Sequence, residues 1–214
     1  MSDSNYTAGT DCSIAPGAIV GLVYRDGAGP ARLGDRCVVR AGAIIYGDVS
    51  AGSHLQTGHH VMIREHTTLG DHVVIGTNTV IDGTVTIGSF VKIESNCYIP
   101  THVTIGTRVF LGPGVVLTND RYPLKQRASY KPEGPVLEDG VTLGGGVVVV
   151  PGVRIGANSF LAAGAVVTKD VPPNSLVTGV PGQIRPLPEH LRETNMALSW
   201  INNLAPPRAS AGQD

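Results

Sequence analysis

From residue 63 to residue 117 an isoleucine or leucine recurs at every sixth position: Ile63, Leu69, Ile75, Ile81, Ile87, Ile93, Ile99, Ile105, Leu111 and Leu117. Helical burial recurs at about 3.6 residues and a half-buried strand at about 2, so a strict six without drift requires a separate repeating unit. After a gap the period resumes with Leu137, Leu143, Val149, Ile155, Leu161 and Val167. Four residues past each aliphatic stands a second apolar or small residue, as at Val73, Val91, Cys97, Val115, Val141 and Ala165. Between the two, three past the aliphatic, come Asn78, Asn96, Gly114, Gly140, Gly146, Gly152, Asn158, Gly164 and Asp170, types that tolerate positive φ. Each hexad therefore predicts a short strand and a corner. Three hexads make a coil, and the coils stack by parallel pairing at about 4.8 Å per step into an all-β solenoid.

The alphabet of the repeat, an aliphatic, then often Gly, then a small inward residue, resembles the left-handed parallel β-helix of the hexapeptide acyltransferases. The left hand is what that resemblance implies. Periodicity leaves it open, and the usual crossover preference is right-handed.

Four segments are expected: a weakly ordered lead-in over 1–13, the β-helix over 14–185, a C-terminal helix over 186–204 with Pro188 in its first turn, and a disordered tail over 205–214. The register is interrupted at 25–31 and again at 119–135. The second break holds Asp120, Arg121, Tyr122, Lys125, Arg127, Tyr130, Lys131 and Glu133. A polar loop on a rigid scaffold is a common place for function.

Composition narrows the partners. With 42% hydrophobic residues but 5% aromatic, the core is built from β-branched layers rather than rings, and 28 glycines suit the corners. A formal charge of −1 with scattered Lys and Arg gives no electrostatic case for nucleic acid or an anionic membrane. The longest apolar run, around 147–150, is too short to span a bilayer, and no basic leader precedes an apolar stretch, so a cytoplasmic location is expected. Of Cys12, Cys37 and Cys97, the register turns Cys97 inward, and Cys37 with it, as core thiols.

Residues 140–182, including Val167-Thr168-Lys169-Asp170-Val171-Pro172 and Gly179-Val180-Pro181, resemble the coenzyme A half of the hexapeptide acetyltransferases. That resemblance implies homotrimers with acyl-CoA between two β-helices, and acetyl-CoA as co-substrate. Gly144, Gly145, Ala162 and Ala163 would let a pantetheine arm lie against backbone. Arg154 and Lys169 would meet phosphate, with Thr168 and Pro181 beside them.

The central stretches, Ile93-Glu94-Ser95-Asn96-Cys97-Tyr98 and Phe110 to Asp120 with Pro123, are similar to bacterial N-acetyltransferases that acylate a nucleotide-linked amino sugar for surface polysaccharides. The resemblance puts Asn96 near the reacting amine, although Asn96 is also an ordinary corner residue. Galactoside and maltose O-acetyltransferases share the carboxy end, but their Thr-Gly-His-Pro is replaced here by Thr118-Asn119-Asp120-Arg121-Tyr122-Pro123. A sugar hydroxyl needs a base to shed its proton. An amine needs mainly orientation and a route for one proton.

His54, His60, His66, His72 and His102 share the corner slot, which alone explains them as residues at ease with positive φ. Corners are also where neighbouring β-helices meet, and His60 or His66 is the preferred proton acceptor. Glu65, Asp82 and Glu94 are expected to hold an ammonium or orient that histidine, and Asp120, Arg121 and Tyr122 to contact the acceptor. The histidine count also invites a gamma-carbonic-anhydrase-like zinc protein, but the Gly-His-x4-His-Gly pair is absent, so no metal is expected. The serine acetyltransferase motif Asp-His-Ala-Thr-Gly is absent too. The sequence therefore points to an acyl-CoA-dependent N-acetyltransferase acting on a small-molecule amine, with a sugar or serine O-acetyltransferase as the alternative.

Overall fold

The computed structural model describes residues 5–193 and Asn195. Almost every hexad folds as a two-residue strand whose first side chain faces out and whose second is buried, as in Val74–Ile75 and Val80–Ile81. Successive strands fall on three faces in turn, giving sheets of eight, ten and eight strands among the described residues, parallel except for the last strand of the ten, a left-handed parallel β-helix. Face A carries Thr68–Leu69, Thr86–Ile87 and Thr104–Ile105; face B carries Val74–Ile75, Lys92–Ile93 and Phe110–Leu111; face C carries Val80–Ile81, Tyr98–Ile99 and Val116–Leu117. Partners such as Ile81 and Ile99 are eighteen residues apart, one full coil.

The core is the sequence period made solid. Ile45, Ile63, Ile75, Ile81, Ile93 and Ile99 are fully buried, and so are the second inward residues Val61, Val73 and Val91. The inward hydroxyl of Thr79 donates to the Glu94 carbonyl at 2.9 Å and accepts the Cys97 N–H at 3.1 Å. That of Thr67 is buried without a partner among the described residues. Cys37 and Cys97 lie inside the core, and burial pushes both thiols up, Cys37 to about 11.

All five corner histidines take positive φ, from +54° at His60 to +66° at His102. Of the corner residues named from the sequence, Asp170 alone does not. Thr84 (+51°) and Phe90 (+61°) adopt the same conformation with side chains that resist it.

Two expectations about the ends need correction. The strands begin inside the anticipated lead-in: Tyr6–Ala8 pairs with Ala31–Leu33 on face A. The coils close on a hairpin, Ser175–Thr178 antiparallel to Gln183–Pro186. Past it, the start of the expected C-terminal helix is a short 3-10 turn over Glu189–Leu191; Asn195 reaches back to the Arg108 carbonyl at 2.8 Å. The remainder of that helix and the 205–214 tail lie outside the described residues. No helix among the described residues is long and apolar enough to cross a membrane.

Candidate active site at the edges of face C

The outward side of face C differs from the others. Its register column runs Ile44, Met62, Val80, Tyr98, Val116, Val148, Val166, apolar or aromatic throughout. The matching column on face A is Arg32, Ser50, Thr68, Thr86, Thr104, Val136, Arg154. The candidate residues collect along the two corners that bound face C.

The B–C corner holds His60, Asn78 and Asn96 in one left-handed column, with the Asn78 amide donating to Asn96 Oδ1 at 3.4 Å. Above them lie Gly114, Gly146 and Gly164, around which a Cβ would find open space. The glycine and alanine candidates are also here. Gly144 is required by stacking, because a Cβ would stand 2.5 Å from the Ala163 nitrogen. Ala163 is exposed and free to face a ligand. Glu94, on the same corner, is already paired with Lys92 at 2.6 Å.

The C–A corner is more polar. Arg64 donates to Glu65 at 2.8 Å and to Asp82 at 2.9 Å, and its guanidinium lies over the Tyr46 ring. Tyr98 donates to the other oxygen of Asp82 at 3.1 Å; burial first, then the Asp82 charge, push its phenol up. Glu65 and Asp82 thus share the single positive charge of Arg64 and keep one negative charge between them. His66, one coil above Asp48, is exposed, with its Nε2 3.3 Å from the Tyr24 hydroxyl.

The inserted loop lengthens a single C–A corner, leaving after Val116–Leu117 and returning at Val136–Leu137. Asn119 fastens its root by donating to Thr101 Oγ1 at 2.8 Å, and Arg121 donates to the Pro151 carbonyl at 2.8 Å. Asp120 pairs with Arg127 at 2.8 Å, and Arg127 stacks on Tyr130. Arg121, Tyr122, Lys125, Tyr130 and Lys131 help to line a hollow under the loop. Higher on this corner Thr168 and Lys169 are exposed.

The structure therefore divides the candidates. His60, Asn96, Glu94 and the glycine and alanine set share the B–C corner. Glu65, His66, Asp82, the loop residues, Thr168 and Lys169 share the C–A corner, on the other side of face C. Arg154 projects from face A and is held by Glu138 at 2.9 Å, so it stands apart from the alanine-lined corner. Pro181 sits in the turn of the closing hairpin, after a cis peptide bond. Tyr24, Arg25, Asp48 and Tyr98 were not anticipated. Tyr98 and Asp82 are sixteen residues apart, a near-coil spacing that could have flagged them, whereas Tyr24 immediately precedes the irregular 25–31 excursion and gives no periodic signal. Among the described residues no three His, Cys, Asp or Glu side chains gather as a metal site.

The bacterial transferase hexapeptide (six repeats) family matches residues 84–119 and 134–169, and the hexapeptide repeat of succinyl-transferase matches 27–46 and 66–101. The chain belongs to the hexapeptide-repeat family. It is similar to the galactoside O-acetyltransferase of Lactococcus lactis, 44% identical over 62 residues, which is 29% of this chain and 30% of that protein. It is also similar to a 2,3,4,5-tetrahydropyridine-2,6-dicarboxylate N-acetyltransferase of Staphylococcus aureus, 43% identical over 49 residues, 23% of this chain and 20% of that one. The matched segments thus span less than a third of these curated relatives. Among solved structures, LpxA, a UDP-N-acetylglucosamine acyltransferase from Bacteroides fragilis, aligns over 85% of this chain and 70% of its own with a TM-score of 0.68 at 16% identity, a likeness of fold.

Proposed function

We propose that this hexapeptide-repeat protein is an acyl-CoA-dependent N-acetyltransferase that transfers an acetyl group to the amine of a nucleotide-linked amino sugar, working as a homotrimer. The observation that carries the reading is face C: an apolar column bounded by one corner lined with small residues and one lined with charge. An uninterrupted apolar face suits packing against a second copy. The exposed Ala163 and neighbouring backbone amides of the B–C corner then suit a pantetheine arm, and the Lys169 ammonium suits a phosphate. Lys169 lies five coils above His66, about 24 Å at about 4.8 Å per coil, a span comparable to an extended phosphopantetheine arm.

The chemistry asked of the protein is modest. A neutral amine attacks the thioester carbonyl directly, the C–S bond breaks, and CoA leaves as the thiol without a covalent enzyme intermediate. Orientation accounts for most of the rate, and one proton must be moved. His60, His66 and Asn96 are the candidates beside the reacting atoms, and Asp120, Arg121 and Tyr122 are those for the acceptor. The hollow under the loop, with its lysines and tyrosines, suits an anionic, ring-bearing acceptor such as a nucleotide sugar.

O-acetylation is the second reading, favoured by the similarity to a galactoside O-acetyltransferase. Against it stands Thr118-Asn119-Asp120-Arg121-Tyr122-Pro123, which offers no histidine at the loop root. A thiol-release assay with acetyl-CoA against nucleotide-linked amino sugars, free amino sugars, serine and galactosides, with products identified by mass, separates the two. Turnover of one nucleotide-linked amine supports the proposal, and turnover confined to hydroxyl acceptors overturns it.

A further inference from the structure

The Tyr24 hydroxyl sits at the centre of three charged or titratable side chains, and the four residues are drawn from three coils. It is 2.9 Å from Asp48 Oδ2, 3.1 Å from Arg25 Nε and 3.3 Å from His66 Nε2. A phenol has one proton to give and two lone pairs to fill. Arg25 Nε can only donate, so it takes one lone pair. The ionised Asp48 can only accept, so the phenolic proton goes to it. The remaining contact is satisfied in one way: His66 Nε2 carries a proton and donates it to the second lone pair of Tyr24. The neutral ring is then the Nε2–H tautomer, and Nδ1 is left as an acceptor. Among the described residues Nδ1 has no hydrogen-bond partner, and the side chain is exposed. Asp48 is itself fixed, since its Oδ1 accepts the Gly29 N–H at 2.9 Å, which ties the 25–31 excursion to this corner. The His66 and Tyr24 rings also stand nearly perpendicular, with centroids 6.3 Å apart at 87°.

We infer that Tyr24 and Asp48 are positioning residues that hold His66 as its Nε2–H tautomer, so that Nδ1 accepts the proton shed in acyl transfer. The inference rests on the acyltransferase reading for its last step only. As the amine nitrogen bonds to the acyl carbon and the C–S bond breaks, its proton passes to Nδ1 and then to the departing CoA sulfur, leaving the imidazole neutral. Arg25 and the Asp48 charge nearly balance at 3.9 Å, so the chain of bonds orients the ring without adding a net charge beside it.

The test has two independent arms on the full chain. Nitrogen-15 ring spectra of His66, assigned by loss in His66→Gln, should report Nε2–H as the only neutral tautomer. Tyr24→Phe keeps the ring beside Tyr46 but removes the hydroxyl, and should give a mixture of tautomers, as should Asp48→Asn. The second arm uses whichever amine of the acceptor panel is turned over. His66→Gln should lower kcat about 100-fold. Tyr24→Phe should lower kcat about 10-fold with KM for acetyl-CoA unchanged, and move the acid limb of the pH profile. An unchanged tautomer in Tyr24→Phe overturns the positioning role, and full turnover by His66→Gln overturns the base. If no amine is acetylated at all, the functional reading has failed and the ring spectra alone decide whether Tyr24 holds the tautomer.

Discussion

The imidazoles of His54 and His72 lie face to face at the A–B corner, with centroids 4.3 Å apart and planes within 9° of parallel, and Phe90 continues the stack 5.0 Å beyond His72. His72 Nδ1 is buried without a partner among the described residues. Burial first, then the neighbouring His54, hold its pKa below the ordinary histidine value, while Asp71 acts in the other direction. The folded chain thus prefers the neutral ring, and the unfolded chain binds the proton first. This contribution to stability is complete above about pH 6.5 and is lost as pH falls from there toward the lowered folded value. We expect Tm to drop between pH 7.5 and 5.5, and His72→Phe, which repeats the residue found one coil above, to reduce that drop. An equal drop in the variant would assign the acid sensitivity elsewhere. Asp35 and Asp48, lowered chiefly by the Thr10 N–H and the Tyr24 hydroxyl respectively, act in a separate window below about pH 4.

The thiols should react in a fixed order. Burial raises Cys37 and Cys97, whereas Cys12 is partly exposed at the start of the stack. The thiolate is the reactive form, so an alkylating reagent at pH 8 should modify one site per chain quickly and the other two only on unfolding. Mass mapping that found Cys97 labelled first in the native protein would contradict the buried placement.

Ile99 stands directly above Ile81 in the middle of face C and is fully buried. Ile99→Ala removes a layer that neither neighbouring coil can refill, and should cost about 2–5 kcal/mol. Chemical denaturation would read this as a lower midpoint. A loss well under 1 kcal/mol would mean that the coils collapse around the cavity.

The coils were legible because one physical requirement, an inward aliphatic per hexad, repeats without exception from Ile63 to Leu117. The corner histidines were legible for the same reason, since their slot demands positive φ. Tyr6–Ala8 was not, because all three side chains are exposed and no buried residue marks the strand. The division of the site was harder still. His60 and His66 are six residues apart in sequence, yet one hexad is one face, so they occupy different corners. Proximity in a solenoid follows a spacing of eighteen, and His54, His72 and Phe90 obey it. Tyr24 meets His66 across 42 residues because the excursion at 25–31 breaks the period, so no spacing rule reaches that contact.

Ala163 offers a direct test of the B–C corner as the place where acyl-CoA lies. Its side chain is exposed, so Ala163→Leu adds bulk outside the core and should change Tm little. If pantetheine runs along this corner, the added branch fills its path, and acetyl-CoA affinity measured by calorimetry should fall by at least about tenfold. Unchanged affinity would mean that the pantetheine arm does not run along the B–C corner.

The inserted loop supplies the sharpest separation of scaffold from chemistry. It interrupts one C–A corner, and the parallel pairing continues across it, with Thr104–Ile105 joined to Val136–Leu137. The core therefore does not need the residues between Asp120 and Pro132. The root, by contrast, is tied down by Asn119 to Thr101 and by the Glu133 N–H to the Asn119 carbonyl at 3.0 Å. Replacing 120–132 with a short Gly-Ser linker should leave circular dichroism and the unfolding midpoint close to wild type, while kcat/KM for the acceptor falls by roughly 100-fold or more through lost positioning. Arg121→Ala, which removes the bond to the Pro151 carbonyl, should show a smaller loss in the same direction, because it frees one end of the loop without deleting the tyrosines and lysines beneath it. A linker variant that turned over normally would confine the chemistry to the corners of the β-helix itself.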